Sequence, residues 1–542
     1  MTLLFTRQHL FLRLFFFCLS FWAMGHPCLA TEDNSQLSHG LSQLIQGNFQ
    51  RKEEAVKIIA TSGDPRAEQI LQALLAGKLY RIKRKDTLVY KEGKGKKVAI
   101  TSVLTGESLG TVKKRAIKKI TINNAIRGKL HGQLALINLK NPDSQIRLQA
   151  VNKLIPTLSP KSAGTLETLL QTERNDKVRE ALMTARAIIG LRDTEKPRRL
   201  EALDNLQGNL TPSVKNELIR LLTEEQDKEI HNKAQATLNG IQSKIKLYGL
   251  IEKLFFGLSL GSVLVLAAIG LAITFGVIGV INMAHGELIM LGAYTTYVIQ
   301  QLMPNAIGTA LLLSIPAAFI VSGATGILIE RTVIRFLYGR PLETLLATFG
   351  ISLILQQTVR TIFSPLNRSV STPAWMSGSL QLNPVLSLTV NRITILVFAL
   401  MVFAGLYMTL KKSSIGLQVR AAAQNRSMAR AMGIKAARVD ALTFGLGSGI
   451  AGIAGVALSQ LTNVGPNLGQ SYIIDSFMVV VFGGVGNLWG TLVGGLTLGV
   501  ANKFFEPWTG AVLAKIVILV FIILFIQKRP QGLFPQKGRA GA

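Results

Sequence analysis

Cysteine is almost missing from this chain of 542 residues; Cys18 and Cys28 are the two it has. Both fall in residues 1–30, which read as a secretory signal. Arg7, His9 and Arg13 give a positive start, Leu14 to Ala23 an apolar stretch, and Cys28-Leu29-Ala30 a small-residue cleavage site. Cleavage after Ala30 would leave no cysteine, which excludes disulfides and cysteine metal sites. Cys28 also lacks the small-residue context of a lipid-attachment site. Acidic residues are scarce as well: 30 Asp and Glu stand against 60 Lys and Arg, a formal net charge of +30. Such an excess can mark a nucleic-acid binder. Here no zinc-ligand spacing accompanies it, and the basic residues are divided between a polar first half and loops between apolar runs, so no nucleic acid is expected as partner. A third absence is the phosphate cradle G-x-x-x-x-G-K-[ST]. Without it the chain does not hydrolyse ATP by itself, and it is expected to be neither an enzyme nor the holder of a cofactor.

Composition changes sharply near residue 249. The expected organisation is a signal peptide at 1–30, an exported domain at 31–249, a transmembrane domain at 250–535 and a cytoplasmic tail at 536–542. The exported part is mainly helical. Asp143-Ser-Gln-Ile-Arg-Leu-Gln-Ala150, Asp176-Lys-Val-Arg-Glu-Ala181 and Asp227-Lys-Glu-Ile-His-Asn-Lys-Ala234 share an acidic helix start followed by a branched apolar residue and an alanine. They resemble HEAT-type helical repeats. Ser62-Gly-Asp-Pro65 and Ser159-Pro160 read as turns between helices. Leu88–Tyr90, Val98–Thr101 and Ile120–Ile122 read as short strands, a small β insertion. His131 and His231 are isolated and form no catalytic set.

Beyond residue 249, apolar segments run through Phe255–Val280, Leu288–Leu302, Ala306–Leu328, Leu345–Phe363, Ile393–Leu410, Ala441–Leu461, Ile473–Leu498 and Leu513–Ile526. Basic residues gather at Arg331, Arg335 and Arg340, from Lys411 to Arg438, and from Lys528 to Arg539. Taking these as cytoplasmic fixes the orientation and puts the N-terminal domain outside, in agreement with the signal. Counting forward then requires Ile473–Leu498 to cross twice or to dip and return. Its interior, Phe482-Gly-Gly-Val-Gly-Asn-Leu-Trp-Gly490, holds enough glycine to interrupt a helix at membrane depth. The first apolar run is similarly long enough to be a span followed by a broken segment. The expected fold class is an α-helical polytopic membrane protein of about 8–10 spanning or re-entrant helices, with an exported, mainly α-helical repeat domain carrying the β insertion.

Polar residues set in apolar sequence are the candidates for a translocation path: Asn282, His285 and Glu287 in one group, Asn463, Asn467, Asp475 and Asn487 in a second. Hydrogen bonds between packed helices are the alternative role. A metal is not expected, since His285 and Glu287 supply too few ligands. Glycines such as Gly445, Gly449 and Gly452 suggest close helix packing. The segment Ile415–Lys435 reads as an amphipathic helix at the membrane surface. Leu417, Ala421, Met428 and Met432 fall on one face and Arg420, Arg426 and Arg430 largely on the other. Membrane-embedded carboxylates are too sparse for a proton relay. A loop that docks to a separate ATPase therefore fits better than ion coupling, and a plain basic loop is the alternative.

Gly270–Ala293, the Val419–Ile434 loop, Leu442–Gly455 and Ser476–Gly486 resemble the signatures of branched-chain amino acid-type ABC permeases, a likeness that extends over Leu254 to Phe534. The resemblance implies that the loop touches an ATP-binding subunit, with Gly416, Arg420, Ala421, Asn425, Arg426, Met432 and Gly433 at the coupling positions. Glu343–Gln357, Asn463–Gly469 and Ile526–Phe534, together with the long exported extension, are similar to the urea-transporting branch. That branch implies a bacterial inner-membrane, multi-pass permease with a periplasmic N-terminal domain. Its implied partners are a second homologous permease, two ATP-binding subunits that use the ATP, a periplasmic substrate-binding protein and the lipid bilayer. Two rival functions remain: the same machine carrying branched-chain or related amino acids, and an ATP-independent channel or sensor with an exported docking domain.

Overall fold

The computed structural model describes residues 34–535 except 47, 84–86, 94, 96, 156–157 and 159–162. The signal, both cysteines, the Ser159-Pro160 turn and the tail at 536–542 lie outside the described residues. Contacts divide the chain into two units, Met1–Ile241 and Gln242–Ala542.

The first unit opens with α1 (Asn34–Gln46), α2 (Phe49–Thr61) and α3 (Ala67–Leu75). Leu37, Leu41 and Leu44 recur at helical spacing on α1 and are buried with Val56, Ile59, Ile70 and Leu74. Five strands follow, β1 (Leu79–Ile82), β2 (Leu88–Glu92), β3 (Lys97–Ser102), β4 (Ser108–Lys113) and β5 (Ile117–Lys119). They form one antiparallel sheet in the order β4-β3-β2-β1-β5. Two of the expected strands fall within β2 and β3. The third, Ile120–Ile122, is corrected: the strand is Ile117–Lys119, paired as Ile82↔Ile117 and Tyr80↔Lys119. Because β1 begins at Leu79, no partner remains beyond Ile120, whose side chain is buried against the helices instead.

The helices α4 (Asn124–Asn138), α5 (Ser144–Leu154), α6 (Ala163–Thr172), α7 (Asp176–Gly190), α8 (Lys196–Asn205) and α9 (Pro212–Glu224) complete this unit. Asp143 caps α5 by accepting from the Gln145 N–H (2.8 Å). The cap of α7 is Asn175, not Asp176; it accepts from Lys177 N–H at 3.1 Å. Helix α4 packs on α5, and α7 packs on α5, α6 and α8. Bidentate arginines tie the layers together. Arg147 donates to both Glu173 oxygens (2.8 Å each), and Arg192 to both Glu217 oxygens (2.7 and 2.9 Å). With Arg147 and the Asn175 N–H both donating to it, the Glu173 carboxyl is held at about 2, well below the ordinary 4.5.

A carboxyl depressed in the folded state stabilises fully above its unfolded value, and that contribution disappears as pH falls through its folded value. The heat stability of the full chain is therefore expected to exceed that of Glu173→Gln above pH 4.5, with the gap closing as pH falls to about 2. Thermal proteolysis of the segment 144–190 at stepped pH measures it; a gap that stays constant with pH would contradict the assignment.

The second unit is a helix bundle. Its first helix, α10 (Lys228–Ile278), runs without interruption through the composition change at 249, and the boundary between units falls within it. Then come α11 (His285–Leu302), α12 (Ile307–Thr332), α13 (Pro341–Phe363), the hairpin β6 (Ser379–Gln381) and β7 (Ser387–Thr389), and α14 (Val390–Lys412). Two short helices, α15 (Ser414–Gln424) and α16 (Arg426–Ala431), lead to α17 (Ala436–Ser459), α18 (Leu468–Gly483), α19 (Leu488–Thr509) and α20 (Ala511–Lys528). Among the described residues, six helices are long and apolar enough to cross a membrane: α10, α12 with the turn after it, α13, α14, α17 and α20. Helices α11, α18 and α19 lie among them.

Helix α17 is the centre of the bundle and is almost wholly buried. Gly445, Gly449 and Gly452 admit Ile327, Phe319 and Ser322 of α12, and Gly455 admits α11 at Ile289–Ala293. The run Ile473–Leu498 is not one helix. It is the end of α18, a reversal at Gly484–Asn487, and the start of α19. Gly490 packs on Gly483 and Gly494 on Val479, so the two helices run antiparallel. Helix α18, with 16 residues, is about 24 Å long, short of a bilayer core of about 30 Å.

Candidate functional site

Two interruptions in the bundle share a sequence element, Gly279-Val-Ile-Asn282 and Gly484-Val-Gly-Asn487. Each begins with a glycine at positive φ (74° and 107°), open to glycine and strained for other residues. In each the asparagine side chain accepts at the start of the next helix: Asn282 from the N–H of Ala284 (3.0 Å), the residue before α11, and Asn487 from Trp489 N–H (3.0 Å) and Gly490 N–H (3.2 Å) of α19. The two interruptions touch where Gly276 meets Gly486 with no room for a Cβ.

The first interruption carries the first group of path candidates. Asn282, His285 and Glu287 are all buried. His285 Nε2–H donates to the Ala267 carbonyl of α10 (2.9 Å), and Glu287 Oε1 accepts from the Ser352 hydroxyl of α13 (3.1 Å). Asn282 Nδ2, His285 Nδ1 and Glu287 Oε2 have no hydrogen-bond partner among the described residues. Facing them, α13 presents a polar residue every fourth position: Thr344, Thr348, Ser352, Gln356 and Arg360. Thr348 accepts from Met283 N–H (3.1 Å), Gln356 donates to the Pro466 carbonyl (3.4 Å), and Arg360 donates to Asn467 (2.7 Å). The first four are buried, while the opposite face of the same helix exposes Leu346, Ile354 and Ile362. The sequence reading missed this stripe, although its signal is plain: period-four polarity in an apolar helix is buried against protein, not lipid.

The second group is not brought together. Asn467 joins the end of the stripe through Arg360, and Asn463 is exposed near it after α17. Asp475 lies elsewhere, in an ion pair with Lys515 of α20 (2.8 Å). Asn487 caps α19 and donates to the Phe534 carbonyl (3.3 Å), so it fastens the C-terminal segment. His285 and Glu287 have no third metal-ligating neighbour among the described residues.

At the end of the bundle that carries α15 and α16, the expected single amphipathic helix is two. Ser413 caps α15 by accepting from Gly416 N–H (3.0 Å), and Asn425 breaks the chain and caps α16 by accepting from Met428 N–H (2.9 Å). Gly416 is pressed against Leu410, and Gly433 (φ 84°) turns the chain into α17. Val419, Ala422 and Ala429 face inward and Ala421 is half-buried. Leu417, Met428 and Met432 stand outward, Met432 with 77% of its surface exposed. The arginines divide: Arg420 and Arg430 are exposed, Arg420 donating to the Leu410 carbonyl, whereas half-buried Arg426 reaches Asp440.

Arg426 anchors a cluster that the sequence reading did not include. Its guanidinium pairs with buried Asp440 of α17 and stacks on the Tyr338 ring 4.5 Å away. The Tyr338 hydroxyl donates to Glu330 of α12 (2.8 Å), a second buried carboxylate. Removing one member of a buried ion pair leaves the other charged and unpaired, at a cost of about 3–5 kcal/mol. Arg426→Ala is accordingly expected to lower the melting temperature of the purified chain, followed by tryptophan fluorescence in detergent, while Arg430→Ala leaves it nearly unchanged. Equal melting temperatures would remove Arg426 from this role.

Residues 253–526 match the family model described as "Branched-chain amino acid transport system / permease component". The chain is 32% identical over 297 residues to the high-affinity branched-chain amino acid transport system permease protein BraD of Pseudomonas aeruginosa, covering 53% of this chain and 96% of that one. It is 33% identical over 294 residues to LivH of Salmonella typhimurium (52% and 94%), a permease of the same description. With the probable LivH of Methanocaldococcus jannaschii it shares 27% over 304 residues (54% and 95%). No solved structure matches.

Proposed function

Since the chain belongs to the family of branched-chain amino acid transport permeases, we propose that it is the membrane-spanning subunit of an ATP-driven importer in a bacterial inner membrane, and that the solute it passes is urea. The observation that carries the choice of solute is the chemistry of the stripe on α13. Thr344, Thr348, Ser352 and Gln356, with Asn282 opposite, are neutral groups that both donate and accept. Urea, a small neutral amide, also does both. An amino acid bears its ammonium and carboxylate on one carbon and needs a cation and an anion close together. Here Glu287 binds at Ser352 and Arg360 lies eight residues further along α13, about 12 Å away.

The end of the bundle carrying α15 and α16 also carries Arg331, Arg335, Arg340, Lys411 and Arg438, which supports a cytoplasmic position. Outward-standing Leu417, Met428 and Met432 would seat in the ATP-binding subunit, and Arg426 would hold the loop to the bundle. A second homologous permease, two ATP-binding subunits and a periplasmic receptor complete the assembly. The N-terminal unit would lie in the periplasm. Branched-chain amino acids are the second reading, favoured by the names of the relatives.

Reconstituted complex with ATP is expected to take up labelled urea and not leucine, and Ser352→Ala to slow urea uptake about fivefold, the loss of one hydrogen bond. Leucine uptake without urea uptake would select the second reading, and uptake indifferent to ATP would remove the pump altogether. Met432→Asp is expected to abolish co-purification of the ATP-binding subunit without shifting the melting temperature of the permease. Undiminished co-purification would remove α16 from the contact.

A further inference from the structure

Between α15 and the bundle lies a cavity of about 610 Å³. Its floor is apolar, made of Ala272, Ile273 and Val277 of α10 and Leu488 of α19, and Lys411 and Arg420 stand at its mouth. Neither cation is paired with a carboxylate among the described residues. Lys411 Nζ donates to the Tyr407 hydroxyl (3.3 Å), and Arg420 donates to the Leu410 carbonyl. Beside the mouth, Tyr407 and Phe403 pack on Trp489 with ring centroids 5.7 and 5.3 Å apart, aromatic residues of the kind that sit at a membrane–water boundary.

We propose that this cavity binds one anionic phospholipid, with its phosphate between Lys411 and Arg420 and an acyl chain over Ile273, Val277 and Leu488. Basic pockets between membrane helices at a cytoplasmic face suit acidic headgroups, and the volume lies in the range of pockets that enclose a ligand. A protein occupant fits less well. Arg420 donates back to the Leu410 carbonyl, and the exposed apolar residues Leu417, Met428 and Met432 of α15 and α16 lie outside the lining of the cavity. The cavity reaches the Gly276–Gly486 contact, so the lipid would rest against both helix interruptions. The inference needs the chain's residence in a bilayer and is independent of which solute it carries.

The test is native mass spectrometry of the full chain extracted from nanodiscs of equal phosphatidylglycerol and phosphatidylcholine. Wild type is expected to retain one phosphatidylglycerol in preference to phosphatidylcholine. Lys411→Gln is expected to cut that retention about fivefold, the worth of one cation near an anionic headgroup. Ile273→Trp, which fills the floor, is expected to abolish retention of either lipid. Should that variant fail to fold, the exposed Lys411 still decides the matter. Equal retention of both lipids by wild type, or retention unchanged in Lys411→Gln, overturns the proposal. So does loss of ATP-binding-subunit affinity by Lys411→Gln in lipid-free detergent, which would make the cation a protein contact.

Discussion

A helix interrupted inside a bilayer frees backbone groups that no water is present to satisfy, and much of this bundle is arranged around that constraint. At the first interruption the Met283 N–H finds the hydroxyl of Thr348, and the Ala284 N–H finds the side chain of Asn282. At the second, Asn487 accepts from two N–H groups of α19, while the carbonyls of Phe482 and Gly483 accept from Leu533 (2.9 Å) and Phe534 (3.1 Å). The same device thus receives different partners. One interruption is served by a polar stripe on a neighbouring helix, the other by the C-terminal segment. The second is closed by backbone, whereas the first is lined by side chains with hydrogen-bonding capacity left over on Asn282, His285 and Glu287. That difference is what favours the first, of the two, as the solute path proposed above.

Charge is handled by a comparable logic. Two carboxylates, Glu330 and Asp440, are buried at the basic end of the bundle, where each alone would be costly. Two guanidiniums and one phenol answer them: Arg331 and Tyr338 at Glu330, and Arg426, reaching in from the loop, at Asp440. This drawing-in of arginine leaves Leu417, Met428 and Met432 facing outward, an apolar patch that water disfavours and a partner would cover. The loop is thereby sorted into an anchored side and an exposed apolar side.

How far this was legible in the sequence depends on which residues are asked about. The reversal at Gly484–Asn487 could be read because charge counting demanded an extra crossing and glycine supplied a place for it. The loop between α14 and α17 could be read as amphipathic. The inward turn of Arg426 could not, because Asn425 splits the helix ahead of it, and Asp440 looks like an ordinary helix-start acid until its burial is seen. The partner of Asp475 could not be read either. In sequence it is a lone acid beside apolar residues, but Lys515, forty residues on, answers it. The stripe on α13 was visible as Thr-Thr-Ser-Gln at intervals of four, hidden by attention to rarer residue types.

The two arrangements, for charge and for interruption, are joined by a continuous set of contacts. Arg426 of α16 stacks on Tyr338, and the carbonyl of the preceding residue, Leu337, accepts from Thr344, the first member of the stripe (3.1 Å). One turn further, Thr348 holds the Met283 N–H of the interruption, and one turn beyond that Ser352 holds Glu287. A displacement of α16 that pulled Arg426 would bear on Tyr338 and hence on the first turn of α13. Because α13 is a continuous helix, its stripe would shift as a unit against the interruption. Packed interiors pass such shifts on because they have little room to absorb them. An ATPase gripping the loop would therefore act on the solute's surroundings through one helix and one aromatic ring.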